Sequence, residues 1–271
     1  MDSLEFLYKT KIGRIVLRPL ISRPVSALSG AFLDSGISKI LIPYFVRKNG
    51  INTADYRLEG ISSFNDFFCR KIYERLRPIS RISEDFISPC DGLLKVNRIK
   101  DGMVIPVKQS VFTIEELLHD KKLAKSFDGG YCMVFRLCVN HYHRYSYIDS
   151  GFKYKNRVIK GFYHTVRPVA LAEYPVFVQN SREYAVIDTD NFGRCVQMEV
   201  GAMLVGRIVN EEKNSCMVVR GEEKGHFEYG GSTIIVLVKK GKIQLNSSVK
   251  NSMISGEELP VRMGETIAKK L

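Results

Sequence analysis

Four short stretches hold the residue types of nucleophilic catalysis. They are "SPCDG" (88–92) with Asp91, "NHYHRYSY" (140–147) with His141 and His143, "FYHTVRPVA" (162–170) with His164, and "YGGST" (229–233) with Ser232. A serine hydroxyl is a weak nucleophile at neutral pH, so it needs an imidazole to take its proton and a carboxylate to orient and charge-stabilise that imidazole. Singly, each stretch has a plain structural reading. Asp91 before Gly92 is an ordinary turn residue, Ser232 a turn serine, and the histidines polar surface groups. His141 and His143, two apart on a strand, would share a face and could join His164 in a zinc site. The nucleophilic reading unites more of the four stretches, and no metal is expected.

The target of Ser232 follows from its setting. A hydrolase serine sits in a G-x-S-x-G elbow between strand and helix, whereas here the order is turn, serine, apolar strand. The nearest electrophile is the carbonyl of Gly231. Attack there converts the Gly231–Ser232 amide to an ester, and elimination from the ester cuts the chain and leaves a dehydroalanine. Its tautomer hydrolyses to ammonia and an N-terminal pyruvoyl group. Glycine at 231 suits the strained approach, because no side chain crowds the attacked carbonyl.

The elements that must position these groups change character along the chain. The first 75 residues read as helical, divided near Pro19, Pro24 and Pro43, with Leu4, Leu7, Tyr8, Ile12 and Ile15 at helical spacing. A further helix is expected through "SFNDFFCRKIYERL", with Phe64, Phe67, Phe68 and Ile72 as its apolar stripe. From Phe86 onward, short β-branched and aromatic runs alternate with turn residues: "LLKVNRI", "MVIPV", "YCMVFRLCV", "EYAVIDT", "RCVQMEV", "MLVGRIV", "SCMVVR" and "STIIVLV". One helix, "TIEELLHDKKLAKSF", interrupts them, opened by a Thr113–Glu116 capping box. The expected class is α+β: a helical region over 1–75 and a β-rich catalytic body over 76–271.

Composition narrows the partners. A net charge of +12 in 271 residues implies an anionic partner, yet no zinc-finger spacing, RNP-like motif or basic heptad accompanies it, so nucleic acid is not expected. Six cysteines without a C-x-x-C pair read as reduced thiols of a cytoplasmic protein. Arg14, Arg18, Arg23, Asp34 and Lys39 interrupt the N-terminal apolar run, which lacks a signal-peptide layout. Residues 1–50 carry eight Lys/Arg against three Asp/Glu, an amphipathic and basic combination that suits anionic headgroups.

The chain resembles the phosphatidylserine decarboxylases. The resemblance runs over about residues 60–268 through "FNDFFCRKIYERLRPIS" (64–80), "ISPCDG" (87–92), "YHRYSYIDSG" (142–151), "YHTVRPVAL" (163–171), "NSREYAVIDTDNFG" (180–193), "VGAMLVGRI" (200–208) and "EKGHFEYGGSTIIVL" (223–237). It implies a proenzyme that cuts itself between Gly231 and Ser232 into associated chains of residues 1–231 and 232–271. It also implies a pyruvoyl cofactor from Ser232, which decarboxylates phosphatidylserine to phosphatidylethanolamine through a Schiff base. Asp91 then matches the carboxylate of the self-cleavage relay and His143 the first histidine of the family motif. Ser146 stands where many members place a second, relay histidine, so the base is His143 or His164. Gly230 replaces a common leucine. Peripheral attachment to the cytoplasmic face of the cell membrane is expected, and a homodimer is left open. Two alternatives are a pyruvoyl decarboxylase of a soluble amino acid and an unprocessed β-rich binding domain.

Overall fold

The computed structural model describes residues 3–107, 110–203, 207–230 and 232–271; side chains are described outside 104–111. Gly231, on one side of the expected cleavage bond, and residues 204–206 of the expected "MLVGRIV" strand therefore lie outside the described residues.

The body is built on a nine-stranded sheet. In spatial order it runs Cys216–Val218, Gly151–Lys153, Arg182–Thr189, Gly193–Val200, Ser232–Val238, Tyr131–Leu137, Gly92–Arg98 and Leu259–Val261, with Arg157–Ile159 also on Arg182–Thr189. Its pairings are antiparallel. The strand Ser232–Val238 lies in the interior of the sheet, each of its residues buried. Its odd-numbered Ile235 and Leu237 join one core with Val196, Met198, Tyr8 and Leu17. Its Ile234, Val236 and Val238 join a second core with Phe135, Leu137, Tyr145 and Phe227. A strand buried on both faces must be apolar throughout, which is why the run reads as continuous rather than alternating.

A three-stranded sheet, Ile208–Asn210, Glu223–Phe227 and Arg144–Ser146, covers the second face near the start of the serine strand. A fully buried ion pair pins it there: Lys224 Nζ lies 2.6 Å from Glu199 Oε2 and 2.9 Å from Asn210 Oδ1. The segment that leads into the Gly-Gly-Ser turn is thus fixed to the main sheet.

The N-terminal region is helical as expected: α1 (Ser3–Lys9), α2 (Lys11–Leu20), α3 (Arg23–Asp34), a 3-10 turn Gly36–Leu41 and α4 (Ile42–Asn49). Two breaks fall beside the prolines: α2 ends at Leu20, one residue after Pro19, and Pro24 and Pro43 occupy the first turns of α3 and α4, where a missing amide hydrogen costs nothing. A further break falls at Thr10, whose hydroxyl caps α2 by accepting from Gly13 N. A Cβ on Gly13 would come within 1.9 Å of Phe6 O, so the joint requires glycine. This bend rotates the apolar stripe: Tyr8 and Leu17 are buried, but Ile12 and Ile15 are 68% and 69% exposed.

Two other expected helices are shorter than their patterns. Phe64–Phe68 (α5) opens with a Ser63–Asp66 capping box but stops at Cys69, because Lys71–Ile72 pairs with Tyr56–Arg57 instead. Arg70, 3% exposed, stacks its guanidinium on Tyr56 and Phe67. "TIEELLHDKKLAKSF" divides into Ile114–Leu118 and Lys121–Lys125, since His119 takes a left-handed conformation and Asp120 caps a new helix.

Candidate active site

Ser232 heads the central strand and pairs with Leu137. Strand alternation turns its side chain toward the core that holds Leu137, Tyr145 and Phe227. It is fully buried, and its hydroxyl has no hydrogen-bond partner among the described residues. Buried hydroxyls are nearly always bonded; those of Thr233 and Tyr147 are unpartnered as well, and what sets Ser232 apart is its place directly behind the glycine pair. Just upstream, Gly230 has φ +139°, a region that side-chain-bearing residues rarely enter.

His143 lies on the loop that follows Tyr131–Leu137, the strand paired with Ser232. Its carbonyl accepts from Phe227 N at 3.0 Å, which ties it to the strand approaching Gly230. Its Nδ1 is 2.9 Å from the carbonyl of His141, an acceptor, so Nδ1 carries the proton and Nε2 offers a lone pair. That Nε2 is buried without a partner. Phe68 packs on the ring at 4.1 Å between centroids. Burial, then the nearby Arg70 charge, pushes the imidazole down to about 3, so it is neutral at physiological pH. It is a base held dry at the same sheet end as the orphan hydroxyl. The expected strand placement of His141 and His143 does not hold: Arg144–Ser146 begins after them, and Cys138 N donates to His141 Nδ1 at 3.1 Å.

Asp91 precedes the strand Gly92–Arg98, on the far side of Tyr131–Leu137 from Ser232. Its carboxylate is gripped at both oxygens by Arg77, with Nε at 2.7 Å from Oδ1 and Nη2 on Oδ2. Met263 N also donates to it at 2.9 Å. The imidazole within its field is that of His141, whose pKa burial lowers and Asp91 pulls back up. Asp91 makes no hydrogen bond to His143 or Ser232 among the described residues. Ser146, at the second-histidine position, is buried with its amide bonded to Pro89 O at 2.8 Å.

His164 belongs to the opposite face. Its ring stacks on Tyr174 at 4.7 Å, its Nδ1 lies 3.3 Å from Tyr8 OH, and its amide donates to Asn180 Oδ1. Burial lowers its pKa to about 4. The Tyr8 hydroxyl also accepts from Thr165 N at 3.1 Å, so this histidine marks where α1 docks on the body. The three histidines do not converge as a zinc site would require. Among the described residues, the grouping with metal-ligand spacing is Glu211, Glu223 and His226, and Glu223 is already paired with Arg144.

Reasoning from sequence passed over Arg77, Phe68 and Tyr8, because an arginine before a proline and two aromatics in helical patterns carry no mark of a partner distant in sequence. A cavity of about 840 Å³ adjoins the Asp91–Arg77 pair, lined by Lys71, Arg77, Arg81, Tyr142, Ser146 and Arg220 among others. Neither Ser232 nor His143 lines it.

A buried serine just behind Gly230, with a neutral imidazole at the same sheet end, brings together the groups that nucleophilic chemistry at Ser232 would use. The chain belongs to the phosphatidylserine decarboxylase family, whose family model matches residues 64–269. It is 40% identical over 267 residues to phosphatidylserine decarboxylase proenzyme 2 of Clostridium acetobutylicum, covering 98% of this chain and 91% of that protein. It is 38% identical over 269 residues to the proenzyme of Ruminiclostridium cellulolyticum, covering 97% and 90%. To that of Clostridium perfringens it is 37% identical over 272 residues, covering 98% and 92%.

The depressed histidines give acid instability a sign. His143, at about 3 in the fold against roughly 6.5 unfolded, binds its proton first in the unfolded chain, so stability falls as pH drops through that window. In a Ser232→Ala background, acidification from pH 7 to 5 should cost roughly 2 kcal/mol through His143. Urea unfolding of that variant with and without His143→Asn checks it: the second substitution should flatten the pH dependence, and identical slopes would refute the assignment.

Proposed function

We propose that this phosphatidylserine decarboxylase proenzyme converts phosphatidylserine to phosphatidylethanolamine and CO₂ with a pyruvoyl group made from its own Ser232. The observation that carries the reading is the buried Ser232 hydroxyl, unpartnered among the described residues, at the head of a fully buried strand. His143 Nε2 takes the hydroxyl proton as Oγ attacks the Gly231 carbonyl, giving the ester. Removal of the Ser232 α-proton then expels the Gly231 carboxylate, and hydrolysis of the resulting enamine's tautomer releases ammonia. His164 holds the docking face of α1, and Asp91 sets the charge around the histidine loop through Arg77 and His141.

The buried position of Ser232 accommodates the product. Conversion removes the serine hydroxyl and puts a ketone oxygen where the nitrogen was, so it needs no added volume and eliminates the orphan donor. The pyruvoyl group supplies an electron sink for the departing carboxylate's electrons. The chain's own contribution is to hold that carbon in a water-poor core, with His143 nearby to return a proton. In the uncut chain Ser232 is fully buried, so lipid reaches it only after cleavage.

The helical region 1–75 supports action on a bilayer lipid. Ile12, Ile15, Leu28, Ile37 and Ile40 are each 68–77% exposed, among Arg14, Arg18, Arg23 and Lys39. Among the described residues, no single helix is long and apolar enough to cross a membrane; the pair Arg23–Asp34 and Gly36–Asn49 has the length and composition together but is bent by 80°. Such a ridge suits shallow insertion beneath anionic headgroups, on the cytoplasmic face, consistent with six free cysteines. A soluble amino acid substrate has no use for it.

Intact-mass spectrometry tests the chemistry. Wild type should give two chains, residues 1–231 and 232–271, and Ser232→Ala a single uncut, inactive chain; an uncut wild type refutes the reading. Co-sedimentation with anionic vesicles tests the surface. Leu28→Asp with Ile40→Asp should weaken binding at least about tenfold, given roughly 1.5–3 kcal/mol for each buried aliphatic side chain, while self-cleavage continues. Unchanged binding would dismiss the ridge as the contact surface.

A further inference from the structure

The residues just before the glycine pair are held by a closed ring of polar contacts that the chemistry above does not use. Tyr229 N donates to Asn65 Oδ1 at 3.2 Å. Asn65 Nδ2 donates to Asp34 Oδ1 at 2.7 Å. The other Asp34 oxygen accepts from Arg207 Nη2 at 2.9 Å, and Arg207 also engages the Glu228 carboxylate. Glu228 and Tyr229 are consecutive, so the ring begins and ends on the same short piece of chain. The Tyr229 ring is packed edge-on against Phe45, Phe64 and Phe68 at 6.1, 5.0 and 5.2 Å between centroids, and Phe68 in turn stacks on His143.

The placement has a physical purpose. An asparagine in the first turn of a short helix has water and its own helix to bond with, yet Asn65 is 4% exposed and joins two distant segments. Downstream of the cleavage bond, the chain is fixed as a buried strand; upstream, the ring fixes Glu228 and Tyr229. The slack between these anchors is the glycine pair, and glycine has the widest backbone freedom. Attack by a neighbouring hydroxyl requires the carbonyl to be presented at close range and fixed angle. Without an upstream anchor, two glycines would sample too many orientations to present it.

We propose that Asn65, Asp34 and Arg207 are positioning residues for self-cleavage, fixing Glu228–Tyr229 just upstream of the bond that Ser232 attacks; this rests on the self-cleavage reading above. None touches the reacting atoms. Once the bond is cut the ring has finished its task, so it bears on maturation and not on the decarboxylation that follows.

The test follows conversion of freshly synthesised full-length chain to two fragments by intact mass over time. Asn65→Ala and Asp34→Asn should each slow conversion by about tenfold to a hundredfold, the penalty of a misplaced reacting group. Asp34→Glu, which keeps both oxygens, should recover most of the rate. Asp34 is a surface side chain, 43% exposed, so its variants fold even where Asn65→Ala does not. After conversion is complete, decarboxylation per blocked N-terminus should equal that of wild type. Conversion at the wild-type rate in both variants overturns the proposal, as does an equal fall in conversion and in decarboxylation per blocked N-terminus, which would make the ring a general scaffold. A wild type that never cuts overturns the underlying reading and the proposal with it.

Discussion

A buried hydroxyl without a hydrogen-bond partner costs roughly 1–3 kcal/mol, and this chain maintains one at Ser232. The cost cannot be relieved by moving the strand, because alternate residues of Ser232–Val238 fill the cores on both faces of the sheet. The same dry surroundings keep His143 neutral and leave its Nε2 unbonded. The self-cleavage proposed above would remove the Ser232 hydroxyl.

The helical region and the body share this centre. Tyr8 of α1 reaches across to His164 and Thr165 on one face. On the other side of the site, Phe45 of α4 and Phe64 of α5 enclose Tyr229, next to the glycine pair. Of the helices that carry the exposed apolar residues, α3 joins this packing through Leu33, which clusters with Phe45 and Phe64. A surface suited to lipid and the group that would act on lipid are joined through a few aromatic side chains.

Much of the strand framework was legible in the sequence, since "STIIVLV" is apolar from Ile234 to Val238 and "YCMVFRLCV" is broken by a single charge at Arg136, although "RCVQMEV" buries Gln197 and Glu199 as well. Ser232 was legible for the same reason: glycines directly ahead of such a run demand an explanation. Surface helices were less so. Ile12 and Ile15 fit the stripe of Leu4, Leu7 and Tyr8, but the Thr10 cap rotates the next helix away from it. The pattern of Phe64, Phe67, Phe68 and Ile72 fits a helix as well as it fits the short helix and strand observed, and pairing with Tyr56–Arg57 decides between them. Asp91 was singled out, but its grip by Arg77 is a contact between segments whose geometry no local pattern records. The polar ring around Asn65 joins positions as far apart as 34 and 207, and nothing short of the fold brings them together.

The central claim is that Ser232 ceases to be a serine. N-terminal sequencing of the smaller chain, before and after reductive amination with ammonia and cyanoborohydride, tests it most directly. The account predicts a blocked terminus before treatment and alanine followed by Thr233, Ile234 and Ile235 after it. A smaller chain that sequences untreated from serine, or no smaller chain at all, would contradict it.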